Sequence, residues 1–170
     1  MPGKAIGISF NHGYPGSISR LGDEVTRTHP KAAASADIYF GDPVTINTDG
    51  TVTKLGAGAT SAAFAGIAIR RIKGATQYLS QNRAYYTDQE PVDVIERGAV
   101  AVNVYVGTPT IGGAVYLRIT ANEAIPAGVV GGFEAAADST NTVQITNVKW
   151  GTLKDANGVA ELVILTRQGV

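Results

Sequence analysis

The sequence predicts an all-β fold: a compact antiparallel β-barrel or sandwich, jelly-roll or β-tulip-like in type, with an extended N-terminal arm. Three observations lead to this prediction. Glycine is abundant, at 21 of 170 residues, while charged residues make up only 16%, a profile that suits short strands joined by tight turns. About nine or ten short β-prone runs follow one another at turn spacing. No stretch shows the apolar period of a long amphipathic helix.

The N-terminal part of the chain differs from the rest. Residues 11–20 are rich in turn-forming residues and show no sustained period. Residues 23–27 are long enough for one short turn of helix, and residues 28–35 have the composition of a linker. We therefore expect residues 1–35 to form an extended arm and residues 36–170 to form a single β-barrel or sandwich domain.

The first half of the domain contains a hairpin and a buried strand. Residues 43–47 and 51–55 are β-prone and flank Asp49 and Gly50, and Asp-Gly between two such runs is a strong hairpin signal. Residues 62–69 predict a buried strand. Their small side chains indicate that a neighbouring backbone approaches closely.

The second half begins with the clearest strands, residues 91–96 and 99–106. In the latter, the valines alternate with alanine and other residues, so that both faces of the strand are mostly apolar. A strand of this kind lies in the centre of a sheet. Further strands are predicted over residues 114–119, 128–133, 142–150 and 159–166.

Residues able to carry out catalysis are scarce. The absence of cysteine excludes disulfides, thiolate metal sites and thiol nucleophiles. The two histidines, His12 and His29, both lie in the predicted arm, which does not hold the fixed geometry that a general base requires. Asp93 and Glu96 would point to opposite faces of a strand. We expect no enzyme activity, no cofactor and no metal site.

The charge balance argues against nucleic acid as a partner. Lys plus Arg and Asp plus Glu both number 14, whereas proteins that bind phosphate backbones show a basic excess or stripe. Arg70, Arg71 and Lys73 form the only tight basic cluster. No apolar stretch is long enough to cross a bilayer, so we expect no membrane partner either.

The remaining features suit contact with other proteins. They are the arm, the β body and a group of tyrosines, Tyr78, Tyr85 and Tyr86. Tyrosine offers a large contact area together with a polar group. These tyrosines form either an oligomer or capsid interface or ordinary packing at a sheet edge, and the sequence leaves both readings open.

Several segments in a fixed order resemble the tailed-phage structural cement, or capsid decoration, proteins. The segments are residues 13–20 (GYPGSISR), 40–53 (FGDPVTINTDGTVT), 64–69 (FAGIAI), 90–98 (EPVDVIERG), 107–109 (GTP), 112–116 (GGAVY), 148–152 (VKWGT) and 158–162 (GVAEL). The resemblance covers most of the chain and is weakest over residues 76–88 and 120–141. No single motif is diagnostic; the ordered series carries the resemblance.

The resemblance implies a virion protein on the outer surface of the capsid, made in the host cytoplasm during assembly. It implies binding to the major capsid protein, bridging of neighbouring capsomers and resistance to the pressure of the packaged DNA. It also implies self-association: a homotrimer is favoured on family grounds, with a homodimer as the alternative. The predicted arm supplies the capsid-binding residues, which are Asn11, His12, Gly13, Tyr14, Pro15, Gly16, Ser17, Ile18, Ser19 and Arg20.

Two other structural roles remain open. One is a tail or baseplate component of the phage. The other is a carbohydrate-binding module on the virion surface, which requires exposed aromatic platforms. Trp150 is the only tryptophan, and its predicted strand also contains Val143, Ile145 and Val148, which indicates a core position.

Overall fold

The computed structural model describes residues 11–71 and 83–167 and confirms an all-β fold. Within these residues the chain forms twelve strands, and its helical content is limited to two short 3₁₀ turns, Ser61–Ala63 and Ser139–Asn141. Ten strands make one sheet that curls into a half-barrel, while β2 and β6 pair in a separate small sheet. The strands are β1 Ile18–Pro30, β2 Ile38–Tyr39, β3 Pro43–Ile46, β4 Val52–Lys54, β5 Gly66–Ala68, β6 Tyr85–Tyr86, β7 Pro91–Val106, β8 Val115–Arg118, β9 Phe133–Glu134, β10 Thr142–Ile145, β11 Val148–Trp150 and β12 Val159–Ile164.

Strand β7 is the centre of the large sheet. It pairs antiparallel with β1, β5 and β12 and parallel with β9. The sequence predicted two strands here, over residues 91–96 and 99–106, and the chain joins them into one strand of 16 residues. The predicted central position is confirmed, because partners flank β7 on both sides along most of its length.

A change of side-chain direction within β7 allows one strand to serve two hydrophobic cores. Val92 and Val94 belong to the smaller core, whereas Ile95 and Val100 both belong to the larger one. Ile95 and Val100 are an odd number of positions apart, so the strict alternation of a strand is interrupted between them. Gly98, with φ of +119°, lies at this interruption, where residues 21–24 of β1 bulge out opposite it.

The hairpin between β3 and β4 has the turn that the sequence predicted. Thr45 pairs with Thr53 across the two strands. Gly50 adopts a φ of +81°, which glycine tolerates without strain. The Asp49 carboxylate accepts hydrogen bonds from the backbone and hydroxyl of Thr51. The Asp-Gly pair therefore forms the turn through its own side-chain hydrogen bonds and backbone conformation.

The prediction of an arm requires correction over residues 18–30, while residues 1–10 lie outside the described residues. Residues 18–30 are strand β1, paired with β7 over most of its length, instead of an arm outside the sheet. The short helical turn predicted over residues 23–27 is part of this strand. Lys31, at the end of β1, is buried and forms an ion pair with Asp88 at 2.6 Å. The partner strand lies more than 60 residues away in sequence, so local composition did not reveal the pairing.

Three other predicted strands are shorter than expected. The strand over residues 142–150 is two strands, β10 and β11, and residues 128–132 form turns before the short β9. Residues 62–69 contain the end of a 3₁₀ turn and then β5. Strand β5 nevertheless has the close backbone neighbour that its small residues indicated.

Gly66 is the point of this close approach, and we expect Gly66→Ala to lower the stability of the free protein. An added methyl group would overlap the carbonyl oxygen of Ile95 and lie 2.7 Å from Cγ1 of Val94. Such overpacking costs about 1–3 kcal/mol, which lowers the melting temperature by roughly 5 °C for a chain of this size. Gly56→Ala is the matched control, since its nearest neighbour would be 3.8 Å away. Equal melting temperatures for the two variants would contradict the prediction.

Candidate functional site

The acidic residues of β7 are buried carboxylates that pair with partly exposed arginines. Asp93 and Glu96 are both nearly inaccessible to solvent. Nε of Arg71 lies 2.7 Å from Oδ2 of Asp93, and Nη2 of Arg167 lies 2.7 Å from Oε2 of Glu96. His29, on β1, also lies next to Glu96, with 3.8 Å between Nε2 and Oε1. These contacts hold β1 and the segments around Arg71 and Arg167 against β7. The acidic residues of β7 therefore have a structural role.

No group of three or more His, Cys, Asp or Glu side chains with the spacing of a metal site occurs in the part of the chain that the structure describes. No helix among the described residues has the length and apolar character needed to span a membrane.

Residues 11–20, hereafter the N-terminal segment, are fixed to the body at their start and in their middle. At the start, the backbone N–H of His12 donates to Oδ2 of Asp155 at 2.8 Å, and its Nε2 lies 2.9 Å from the carbonyl oxygen of Leu153. Burial raises the pKa of Asp155, but hydrogen bonds from the backbone of Val159 and His12 outweigh it and lower the pKa overall. The carboxylate therefore stays ionised as an acceptor.

The middle of the N-terminal segment is fixed by backbone pairing. The N–H of Gly16 donates to the carbonyl of Ala101 at 2.8 Å, and the N–H of Arg70 donates to the carbonyl of Gly16 at 2.7 Å. Gly16 has a φ of +80°, and a Cβ there would lie 2.9 Å from backbone nitrogens of Arg70 and Gly41. Only glycine fits this position. The segment is therefore a rigid turn on the body.

This rigid turn presents Tyr14 to solvent. The side chain of Tyr14 is 67% exposed, and its ring stacks against the guanidinium of Arg70 at 4.8 Å. Asn11, Gly13, Ser19 and Arg20 are also exposed, while Gly16 is buried and Ile18 packs against the larger core. The ten predicted residues thus divide into a fixed inner part and an outer face.

The three predicted interface tyrosines occupy different environments. Tyr78 lies outside the described residues. Tyr86 is a core residue, 2% exposed, whose hydroxyl donates to the carbonyl of Ile69 at 2.7 Å; burial is the main cause that raises its pKa to about 12. Tyr85 is half-buried and packs against Tyr39, with 5.2 Å between ring centroids.

A surface groove of about 620 Å³ lies beside the N-terminal segment. It is lined by three exposed tyrosines from distant parts of the chain, Tyr14, Tyr39 and Tyr105. Sequence reasoning missed Tyr39 and Tyr105 as members of a site. The available signal was the alternation in β7, which places Tyr105 opposite the core valines. Trp150, by contrast, is 1% exposed and belongs to the larger core.

The fold is similar to one found in a phage shell. A chain in the solved structure titled "The capsid of Myoviridae Phage XM1" superposes with a TM-score of 0.67 at 18% sequence identity, with 94% of each chain covered. The two chains therefore share a fold over nearly their whole lengths.

A match to a protein-family model identifies the family. The family model described as XM1 gp53 minor capsid protein matches residues 3–164, and the chain belongs to this family. A comparison with curated proteins gives no match. The resemblance to phage capsid accessory proteins is confirmed. The chain is a structural protein of a phage capsid and is located in the virion, and this family membership supports a non-enzymatic role.

Proposed function

We propose that the protein is a cement, or decoration, protein that binds the outer surface of the major capsid protein shell. It bridges neighbouring capsomers and stabilises the DNA-filled head. The observation that carries the proposal is the N-terminal segment, which presents an exposed aromatic side chain from a backbone that the body holds rigid. Rigid aromatic groups bind proteins with little loss of conformational entropy.

The rigidity of the N-terminal segment favours docking without a prior ordering step. A free arm would have to become ordered on docking, at a cost in entropy. Here Gly16 and Ser17 are already hydrogen-bonded to Ala101. The outer face of the segment is therefore in place before the capsid subunit arrives, and more of the contact energy contributes to affinity.

Self-association would strengthen such binding. Once one copy in a homotrimer is bound, the others dock at high effective concentration. We favour the trimer over the dimer on family grounds. The zero net charge of the chain suits dense packing of copies on a shell and a position away from the packaged genome. We propose no nucleic acid, no cofactor and no catalytic step for this function.

Heat inactivation of virions tests the proposal directly. Heads lacking the protein are expected to release DNA at a lower temperature than complete heads, and purified protein added back is expected to restore the difference. The copy number and position follow from maps of the shell with and without it. Heads that release DNA at the same temperature with and without the protein would rule out a cementing role.

Tyr14→Ala is expected to weaken shell binding by at least ten-fold, because exposed aromatic anchors commonly contribute more than 1.4 kcal/mol at protein interfaces. The melting temperature of the free protein is expected to change little, since the side chain is mostly exposed. Cosedimentation with shells measures the binding. Ile111→Ala is the matched control, an exposed apolar residue outside the N-terminal segment. Equal binding by the two variants would exclude Tyr14 as an anchor.

A further inference from the structure

The tyrosine-lined groove is also rich in cationic side chains. Among the residues that the structure describes, four cations line it, Lys54, Arg70, Arg71 and Arg83, against a single carboxylate, Asp42. The chain as a whole has zero net charge, so this local excess of positive charge is a specific property of the groove. A site of this kind attracts a ligand that carries negative charge.

Two of the four cations are already neutralised within the chain. Nζ of Lys54 lies 2.8 Å from Oδ2 of Asp42, and Arg71 is paired with buried Asp93. Burial raises the pKa of Asp42, while the hydrogen bond and charge of Lys54 oppose that shift. These pairs leave Arg70 and Arg83 as the cations that a ligand can engage.

Arg70 and Arg83 are each stacked on a tyrosine. The guanidinium of Arg70 lies 4.8 Å from the ring centroid of Tyr14, and that of Arg83 lies 5.8 Å from that of Tyr85. Neither has a carboxylate within ion-pair distance among residues 11–71 and 83–167. Stacking occupies the face of a guanidinium but leaves its N–H edge free to bind a carboxylate through two hydrogen bonds.

We propose that the groove binds an extended acidic peptide segment of a neighbouring shell protein, with two carboxylates on Arg70 and Arg83 and its apolar groups on Tyr39 and Tyr105. This inference rests on the proposed capsid function and names the chemistry of the partner segment. Tyr14 lines both the groove and the outer face of the N-terminal segment, so the two surfaces form one continuous contact area.

A peptide fits the groove better than the other anionic ligands. Single-stranded nucleic acid is bound by long basic tracks with aromatic platforms, whereas this groove is confined to about 620 Å³ in a neutral chain. Acidic sugars would also use aromatic faces and arginine forks. If the protein works in the shell as proposed, protein neighbours surround it and supply carboxylates at high local concentration.

The test measures binding of labelled probes by fluorescence anisotropy. The main probe is a fluorescein-labelled decapeptide of alternating Glu and Thr, which presents its carboxylates on one face when extended. Matched probes are the Gln-Thr decapeptide, a labelled oligogalacturonate and a ten-nucleotide oligothymidylate. The Glu-Thr peptide is expected to bind at least ten-fold more tightly than each of the others.

Variants locate the binding in the groove. Arg70→Glu combined with Arg83→Glu is expected to reduce Glu-Thr peptide binding at least thirty-fold, because two charge-assisted contacts are lost. Arg70→Lys with Arg83→Lys is expected to retain part of the binding, since the charge remains but the planar fork does not. Lys149→Glu with Lys154→Glu, which changes the net charge equally outside the groove, is expected to bind as the unaltered protein does.

Three outcomes would overturn the proposal. They are equal binding of the Glu-Thr and Gln-Thr peptides, tighter binding of the oligogalacturonate or oligothymidylate, and equal loss of binding in the groove and control variants. Each variant is first checked for an unchanged melting temperature. Because the probes are tested on free protein, the groove proposal can fail while shell binding stands. A protein that binds the Glu-Thr peptide but not shells would instead contradict the proposed function.

Discussion

Arg118→Met is expected to lower the stability of the free protein by about 3–5 kcal/mol, the usual cost of breaking a buried ion pair. For a chain of this length the melting temperature falls by roughly 10 °C. Arg118 and Glu134 are both fully buried and paired on neighbouring strands, and Nη1 of Arg118 also donates to Oδ2 of Asp138 at 2.8 Å. Hydrogen bonds with Glu134 are the main cause that raises the pKa of Arg118.

The size of this effect follows from what remains after the substitution. Without Arg118, the Glu134 carboxylate stays in the interior with its cation removed. Asp138, whose pKa is lowered by hydrogen bonds from Asn122 and then from Arg118, keeps its contact with Asn122 at 2.9 Å. The penalty therefore arises chiefly from the Glu134 charge.

Two further variants separate the ion pair from simple packing. Arg118→Met combined with Glu134→Leu removes both charges and is expected to recover most of the lost stability, because no buried charge is then left alone. Arg97→Met makes the same substitution in an exposed pair, where Arg97 lies 2.9 Å from Asp23, and is expected to cost about 1 kcal/mol or less. Chemical denaturation of the purified variants gives these values. Similar losses for Arg118→Met and Arg97→Met would show that burial does not matter.

The sequence predicts those features of the fold that depend on neighbouring residues. The Asp49-Gly50 hairpin is encoded in its own turn, and the alternation of valines around Val102 identifies the core face of β7. Gly66 is recognisable as a close approach because its neighbours are also small. Each of these signals lies within one short segment of chain.

Features that depend on distant pairing are not predictable in this way. Residues 18–30 look like part of an extended arm until β7 is placed beside them. Arg118 looks like the polar residue of an ordinary strand, because Glu134 and Asp138 reach it only through the fold. Whether a charged side chain can be buried depends on its having a partner of opposite charge, and the topology of the fold determines which residue that partner is.

The candidate site likewise contains residues that local sequence predicts and residues that only the fold brings together. Tyr14 is recognisable from the turn-rich composition of residues 11–20. Tyr39 and Tyr105 join it only because the fold brings β2, in the small sheet, and β7, in the large sheet, to one groove. Tyr86, which the sequence grouped with Tyr85, points into the smaller core instead. Adjacent tyrosines in a strand face opposite sides, so Tyr85 and Tyr86 lie in different environments.

Deletion of residues 1–30 is expected to prevent the free protein from folding into a soluble monomeric or oligomeric body. The deletion removes β1 and exposes the edge of β7 over Pro91 to Val100, where most side chains are buried. It also removes Ile18 from the larger core. An uncovered long apolar strand edge is an aggregation site. Far-UV circular dichroism and size-exclusion chromatography measure the result.

A shorter deletion distinguishes the strand from the segment that precedes it. Deletion of residues 1–15 retains the backbone hydrogen bonds of Gly16 and Ser17 to Ala101 and leaves β1 whole. This variant is expected to fold with a melting temperature close to that of the full chain but to lose shell binding together with Tyr14. A soluble, cooperatively melting protein after deletion of residues 1–30 would show that β1 is a detachable arm. Because β1 covers β7 along most of its length, we expect loss of fold from the longer deletion and loss of binding alone from the shorter one.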